Sequence, residues 1–136
     1  EKEGMCDGPA DMDEVKMKFD SLEEQAQEAD SVYQYYKKVI KIRNQNPEIA
    51  RGEVEYLEQI SGDSFCALRK TWEGSEVILI FHTGEGTEEL DLQGLMLNGE
   101  AVSEKNMRGT LETGEERIAV ADGKAAMPAY SVLVLK

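Results

Sequence analysis

Residue types that do chemistry are few in this chain and stand apart from one another. The one histidine, His82, closes an apolar run and has no cysteine or carboxylate at metal-ligand spacing. A Ser-His-Asp triad would have to use it, yet no Gly-x-Ser-x-Gly elbow presents a serine. His82 therefore reads as a strand-end side chain with a local hydrogen bond. Cys6 and Cys66 lack CxxC spacing and are too few for a disulfide scaffold, and whether they pair is a question of distance. Cys66, inside a strand, reads as buried and inert. Asp11, Asp13 and Glu14 offer oxygen ligands of the kind Ca²⁺ takes, but without the EF-hand order of ligands and glycine. A solvated acidic run is the simpler reading. Trp72, the one tryptophan, precedes Glu73-Gly74; with Tyr56 and Tyr130 it could present an aromatic surface, or it packs over a sheet edge. Glycine-rich phosphate loops are absent.

Composition narrows the classes further. The chain has 136 residues with 15 Lys+Arg against 28 Asp+Glu, a net charge of −13. That balance excludes a phosphate-backbone binder and docking on an anionic bilayer, so neither nucleic acid nor membrane is expected as a partner. The longest apolar run, Val77-Ile78-Leu79-Ile80-Phe81, is far short of the roughly 20 residues a membrane span needs. The length suits one compact domain with an appended segment, and the start at Glu1-Lys2-Glu3-Gly4 reads as a cut inside a longer protein.

The elements that must carry these residues fall into three stretches. Residues 1–20 read as an irregular loop, 21–47 as helical, and 48–136 as all-β. Ser21-x-x-Glu24 and Ser31-x-x-Gln34 are two capping boxes, so a short helix precedes a longer one over Val32 to Asn46. At 100° per residue, Val32, Tyr36, Val39 and Arg43 line up, with Tyr33 and Ile40 on one flank and Tyr35 and Ile42 on the other. This apolar arc covers about half the helix and calls for partners on two sides. Asn46-Pro47 ends it. Strands are predicted at Val54–Ile60, Phe65–Trp72, Glu76–His82, Glu88–Leu92, Arg117–Ala121, Lys124–Met127 and Ser131–Leu135. Asn98-Gly99 and Asp122-Gly123 supply hairpin turns. Short strands without intervening helices indicate an antiparallel sandwich, with Val77–Phe81 and Val132–Leu135 covered on both faces.

Ser31-Val32-Tyr33-Gln34-Tyr35-Tyr36-Lys37-Lys38-Val39-Ile40-Lys41-Ile42-Arg43, running into Asn46-Pro47 and Gly52, resembles the last barrel helix of the α-amylase family of glycoside hydrolases. Phe65-Cys66-Ala67-Leu68-Arg69, Val77–Phe81 and the ending Met127-Pro128-Ala129-Tyr130-Ser131-Val132-Leu133-Val134-Leu135 resemble that family's C-terminal strands, in the same order. His82-Thr83-Gly84 departs from the family's usual Asn-Phe-Ser.

The resemblance implies a mainly β chain: a Greek-key antiparallel sandwich, the family's domain C, with one or two helices left over from a (β/α)8 barrel. Val32, Tyr36, Val39, Ile40 and Arg43 would pack on that barrel, which becomes the expected partner within the same polypeptide. The two carboxylates of a retaining glycosidase lie on barrel strands that precede this segment, so no catalytic residue is expected here. The parent would hydrolyse α-glucan, starch or malto-oligosaccharide. No cofactor is expected in this chain, while the parent has room for Ca²⁺. Trp72, Tyr56, Asp11 and Asp13 are candidate glucan contacts; if they bind sugar on their own account, the sandwich is instead an independent starch-binding module. A parent acting on polymers would be secreted or on the cell surface, one acting on oligosaccharides cytoplasmic. Without a barrel, the helix face is expected to drive self-association, or to be covered by the stretch from Met5 to Phe19.

Overall fold

The computed structural model describes residues 20–136. The candidate positions Cys6, Asp11, Asp13 and Glu14, and the stretch from Met5 to Phe19, lie outside the described residues. Helix α1 (Leu22–Gln27) starts on Ser21, whose hydroxyl accepts from the Glu24 amide while the Glu24 carboxylate accepts from the Ser21 amide, the reciprocal capping box its sequence predicts. Helix α2 (Val32–Gln45) starts on Ser31, which accepts from the Gln34 amide.

Several boundaries differ from the sequence reading. The strand expected at Arg117–Ala121 begins only at Ala119, Met107–Leu111 is a strand that the reading does not predict, and two further differences bear on the helices and the core. Asn46-Pro47 does end α2, but a further short helix, α3 (Pro47–Arg51), begins at once. Proline at a first helical position loses nothing, since its missing N–H would have been unpaired there. The segment after residue 47 therefore opens on a helix. Strand β1 (Glu53–Tyr56) is also shorter than predicted, because Glu58–Ile60 forms a 3₁₀ turn that drops both Leu57 and Ile60 into the core.

The remaining strands are β2 (Phe65–Trp72), β3 (Ser75–His82), β4 (Glu88–Asp91), β5 (Met96–Leu97), β6 (Glu100–Ala101), β7 (Met107–Leu111), β8 (Ala119–Ala121), β9 (Lys124–Met127) and β10 (Ser131–Leu135). They build a five-stranded sheet in the order β1-β2-β3-β10-β7, a three-stranded sheet β4-β9-β8, and the β5–β6 hairpin, with every described strand pair antiparallel. At the predicted Asn98-Gly99 turn both residues have positive φ, 52° and 81°, as a type I′ hairpin requires.

Alternation along the large sheet sends two sets of side chains to two cores. Ala67, Ile78, Ile80, Leu133 and Leu135 face the smaller sheet and meet Ala125 and Met127. Val77, Leu79 and Val134 face the other way and meet Leu111 and Ile42, with Tyr35, Val39 and Ile49 packed against them. Strands β3 and β10 are thus covered on both faces, as their unbroken apolar runs predict. No helix among the described residues is long and apolar enough to cross a membrane.

Candidate docking surface

Helix α2 has two apolar sides, and the sandwich uses one of them. Tyr35, Val39 and Ile42 turn onto the large sheet, where Ile42 sits directly over Gly109 of β7. A Cβ at Gly109 would lie 2.8 Å from Ile42 Cδ1, so the missing side chain is what lets helix and strand approach this closely. The other side stays open: Val32, Tyr36 and Ile40 are 61%, 63% and 53% exposed. Arg43 is exposed in line with them, and Val39 is half-buried at the boundary between the two sides. Of the five positions expected to pack on a barrel, the described residues cover only Val39. The sandwich seam rests on Tyr35, Ile42 and Ile49, two of which lay on the flank of the predicted arc.

Ion pairs lock the helical segment to the sandwich around this seam. Lys38 Nζ lies 3.0 Å from Glu112 Oε2, and Lys136 Nζ lies 2.8 Å from Glu48 Oε1 in the first turn of α3. Glu48 is buried, at 2% exposed. Burial opposes its ionisation, but hydrogen bonds from Lys136 and Ser75 outweigh that and hold the carboxyl below its usual 4.5. Glu112 follows the same logic: burial raises it, while hydrogen bonds from Thr110 and Lys38 bring it below the usual value. Between the start of α2 and the 112–117 loop lies a cleft of about 750 Å³, bordered by Gln34, Tyr35, Lys38, Glu112 and Arg117. Arg117 and Asp30, 3.7 Å apart, both line it.

Of the candidate sugar contacts, Trp72 and Tyr56 lie among the described residues. Trp72 is half-buried, with the Arg51 guanidinium 5.0 Å from its ring centroid, so α3 occupies a face on which a sugar would stack. Tyr56 is exposed on β1, paired with Leu68 of β2, four residues along the strand from Trp72. The two rings share a side of the sheet at a separation of about 13 Å, given a strand rise near 3.3 Å per residue. Cys66 is half-buried, with no disulfide partner among the described residues.

His82 serves the closing corner of the sandwich. Its Nδ1 lies 2.8 Å from the Pro128 carbonyl, which also accepts from the Ser131 hydroxyl at 2.7 Å. Because a carbonyl can only accept, Nδ1 carries the proton. The ring is buried and stacks on Phe65 at 4.7 Å. Between these anchors Tyr130 takes a positive φ of 50°, so the Pro-Ala-Tyr-Ser sequence forms a tight corner. The hydrogen bond expected to be local instead crosses 46 positions of sequence. Among the described residues no group of three or more His, Cys, Asp or Glu could hold a metal ion.

Comparison with known proteins gives these surfaces a context. The chain matches no family model and no curated protein sequence. Among solved structures, Amy13B of Eubacterium rectale is similar over 98% of this chain and 25% of its own, at 34% identity and a TM-score of 0.84. An α-amylase from H. orenii is similar over 85% of this chain and 22% of its own, at 20% identity and a TM-score of 0.61. An isomaltulose synthase from Erwinia rhapontici NX5, solved with sucrose, is similar over 83% of this chain and 19% of its own, at 18% identity and a TM-score of 0.63. The chain thus spans a quarter or less of the length of the proteins it matches.

Proposed function

On the premise that this chain has the fold of part of an α-amylase family protein, as its helix and closing strands imply, we propose that it is the non-catalytic C-terminal portion of a retaining α-glucan hydrolase. Its work is structural: it closes and stabilises the catalytic barrel of the same polypeptide. The observation that carries this is the divided helix. One side of α2 is locked to the sandwich through Tyr35, Val39 and Ile42, while the adjoining side holds Val32, Tyr36 and Ile40 open. A helix so divided acts as a rigid adaptor, since whatever covers its open side is fixed in orientation relative to the sheet. Covering three such side chains contributes on the order of 1–2 kcal/mol each. The parent's hydrolysis needs two carboxylates about 5 Å apart across the scissile bond; that pair belongs to the barrel, as would any Ca²⁺ the parent holds.

Replacing the matching quarter of Amy13B with this chain tests the reading. The chimera should unfold as one cooperative unit and keep the activity of intact Amy13B. Substituting Tyr36→Asp and Ile40→Asp together should cost it several degrees of Tm, a shift expected from about 2 kcal/mol or more. A chimera that tolerates both aspartates, or does not fold with the native side chains in place, sinks the proposal. The exposure of Tyr56 favours one other reading, an independent glucan-binding module. Electrophoresis of the chain through gels with and without soluble starch decides that point: retardation lost in Tyr56→Ala or Trp72→Ala would establish the module, and unchanged mobility would dismiss it.

A further inference from the structure

Charge on α2 runs against the rest of the molecule. In a chain of net charge −13, this one helix carries Lys37, Lys38, Lys41 and Arg43 and not a single acid. Lys38 faces the sandwich and is held by Glu112. The other three are exposed on the far side of the helix and have no ion-pair partner among the described residues. Going round the helix at 100° per residue, Lys37 and Lys41 come next after Tyr33 and Ile40, while Arg43 lies in line with Val32 and Tyr36. The open apolar stripe therefore has Lys37 and Lys41 along its outer edge and Arg43 at its C-terminal end. Lys37 and Lys41 also stand at i and i+4, a like-charge spacing that weakens a helix left to itself.

We propose that the surface covering this stripe has an apolar centre bordered by carboxylates, and that it belongs to the polypeptide lying outside this chain; this rests on the docking reading above. Two observations favour that occupant over a second copy of this chain. The matched proteins are four to five times as long as the stretch they share with this chain, so most of such a polypeptide remains to supply a partner. A second copy pairing helix to helix would set Lys37, Lys41 and Arg43 against themselves, and like charges across an interface exclude a partner. A carboxylate rim does the reverse, placing acid between Lys37 and Lys41 and steering the apolar contact into register.

The test uses the whole chain with two synthetic amphipathic helical peptides that share one leucine stripe, flanked by glutamates in one and by lysines in the other. The chain should bind the glutamate peptide roughly tenfold more tightly, as a few exposed ion pairs allow. That preference should fade toward about 0.5 M NaCl, where the Debye length falls well below 10 Å. Broadening of the Tyr36 and Ile40 amide signals should mark the contact. The triple substitution Lys37→Glu, Lys41→Glu, Arg43→Glu, on exposed positions that leave the sandwich seam intact, should invert the preference. Equal affinity for the two peptides, binding of neither, or a chain that sediments as a dimer through this stripe overturns the proposal. The Amy13B chimera reports on docking separately: if it depends on Tyr36 and Ile40 while the chain does not tell the peptides apart, the acidic rim is wrong and the docking reading stands.

Discussion

The two sides of α2 have nearly the same composition and opposite fates. Tyr35, Val39 and Ile42 are packed on the sheet over Gly109, whereas Val32, Tyr36 and Ile40 face outward. Hydrophobic pattern states how much surface must be covered; it does not say by what. What separates the sides is the long-range setting: a strand with a glycine where the helix crosses, and ion pairs that hold the helical segment down.

Substitutions can break that contrast or sharpen it. Ile42→Ala should cost about 2–4 kcal/mol in urea unfolding of the chain, and Ile40→Ala no more than about 0.5; equal effects would refute the division. Lys136→Met, which leaves Glu48 buried without its cation, should cost about 1–3 kcal/mol, less than a fully buried pair because the lysine is partly exposed. Gly109→Ala should cost about 1–2 kcal/mol by forcing Ile42 aside, and Ile42→Ala should absorb most of that cost in the double variant.

Acid should act on the same seam. Glu48 and Glu112 both have carboxyls lowered from 4.5 in the folded chain. Their contribution is complete above that value and is lost as pH falls through the lower folded values. Hydrogen exchange in α2 and α3 should therefore accelerate below about pH 4.5 before that of Ile78 and Ile80 does. A small effect, about 0.5–1 kcal/mol, belongs to Arg51→Ala, through loss of its contact with the Trp72 ring.

What the sequence revealed follows from the range of the interactions involved. The Ser21 capping box, the Ser31 N-cap, the Asn98-Gly99 hairpin and the apolar runs of β3 and β10 are set by residues a few positions apart and can be read directly, although Gln34 turns its side chain to the Ala26 carbonyl and leaves the second box half made. Strand β7 escapes notice because Arg108 and Gly109 interrupt its alternation, and that glycine has its reason in Ile42, 67 positions earlier. Helix α3 escapes because Pro47 ends one helix and starts the next. At the candidate surfaces, the width of the apolar arc is legible, but not the choice of buried side. Trp72 looks like an open ring until Arg51 is seen over it. Glu48 and Lys136 show no affinity on paper because the fold alone brings them together.

That last pair has a consequence for how such a unit is handled. Glu48, five residues before the first residue of the sandwich's first strand, touches Lys136, one residue beyond its last. Entry and exit of the β region therefore share one doorstep. A module arranged this way can be excised, transplanted or threaded into a host loop at a single locus, with linkers of only a few residues and no need to reroute the host chain.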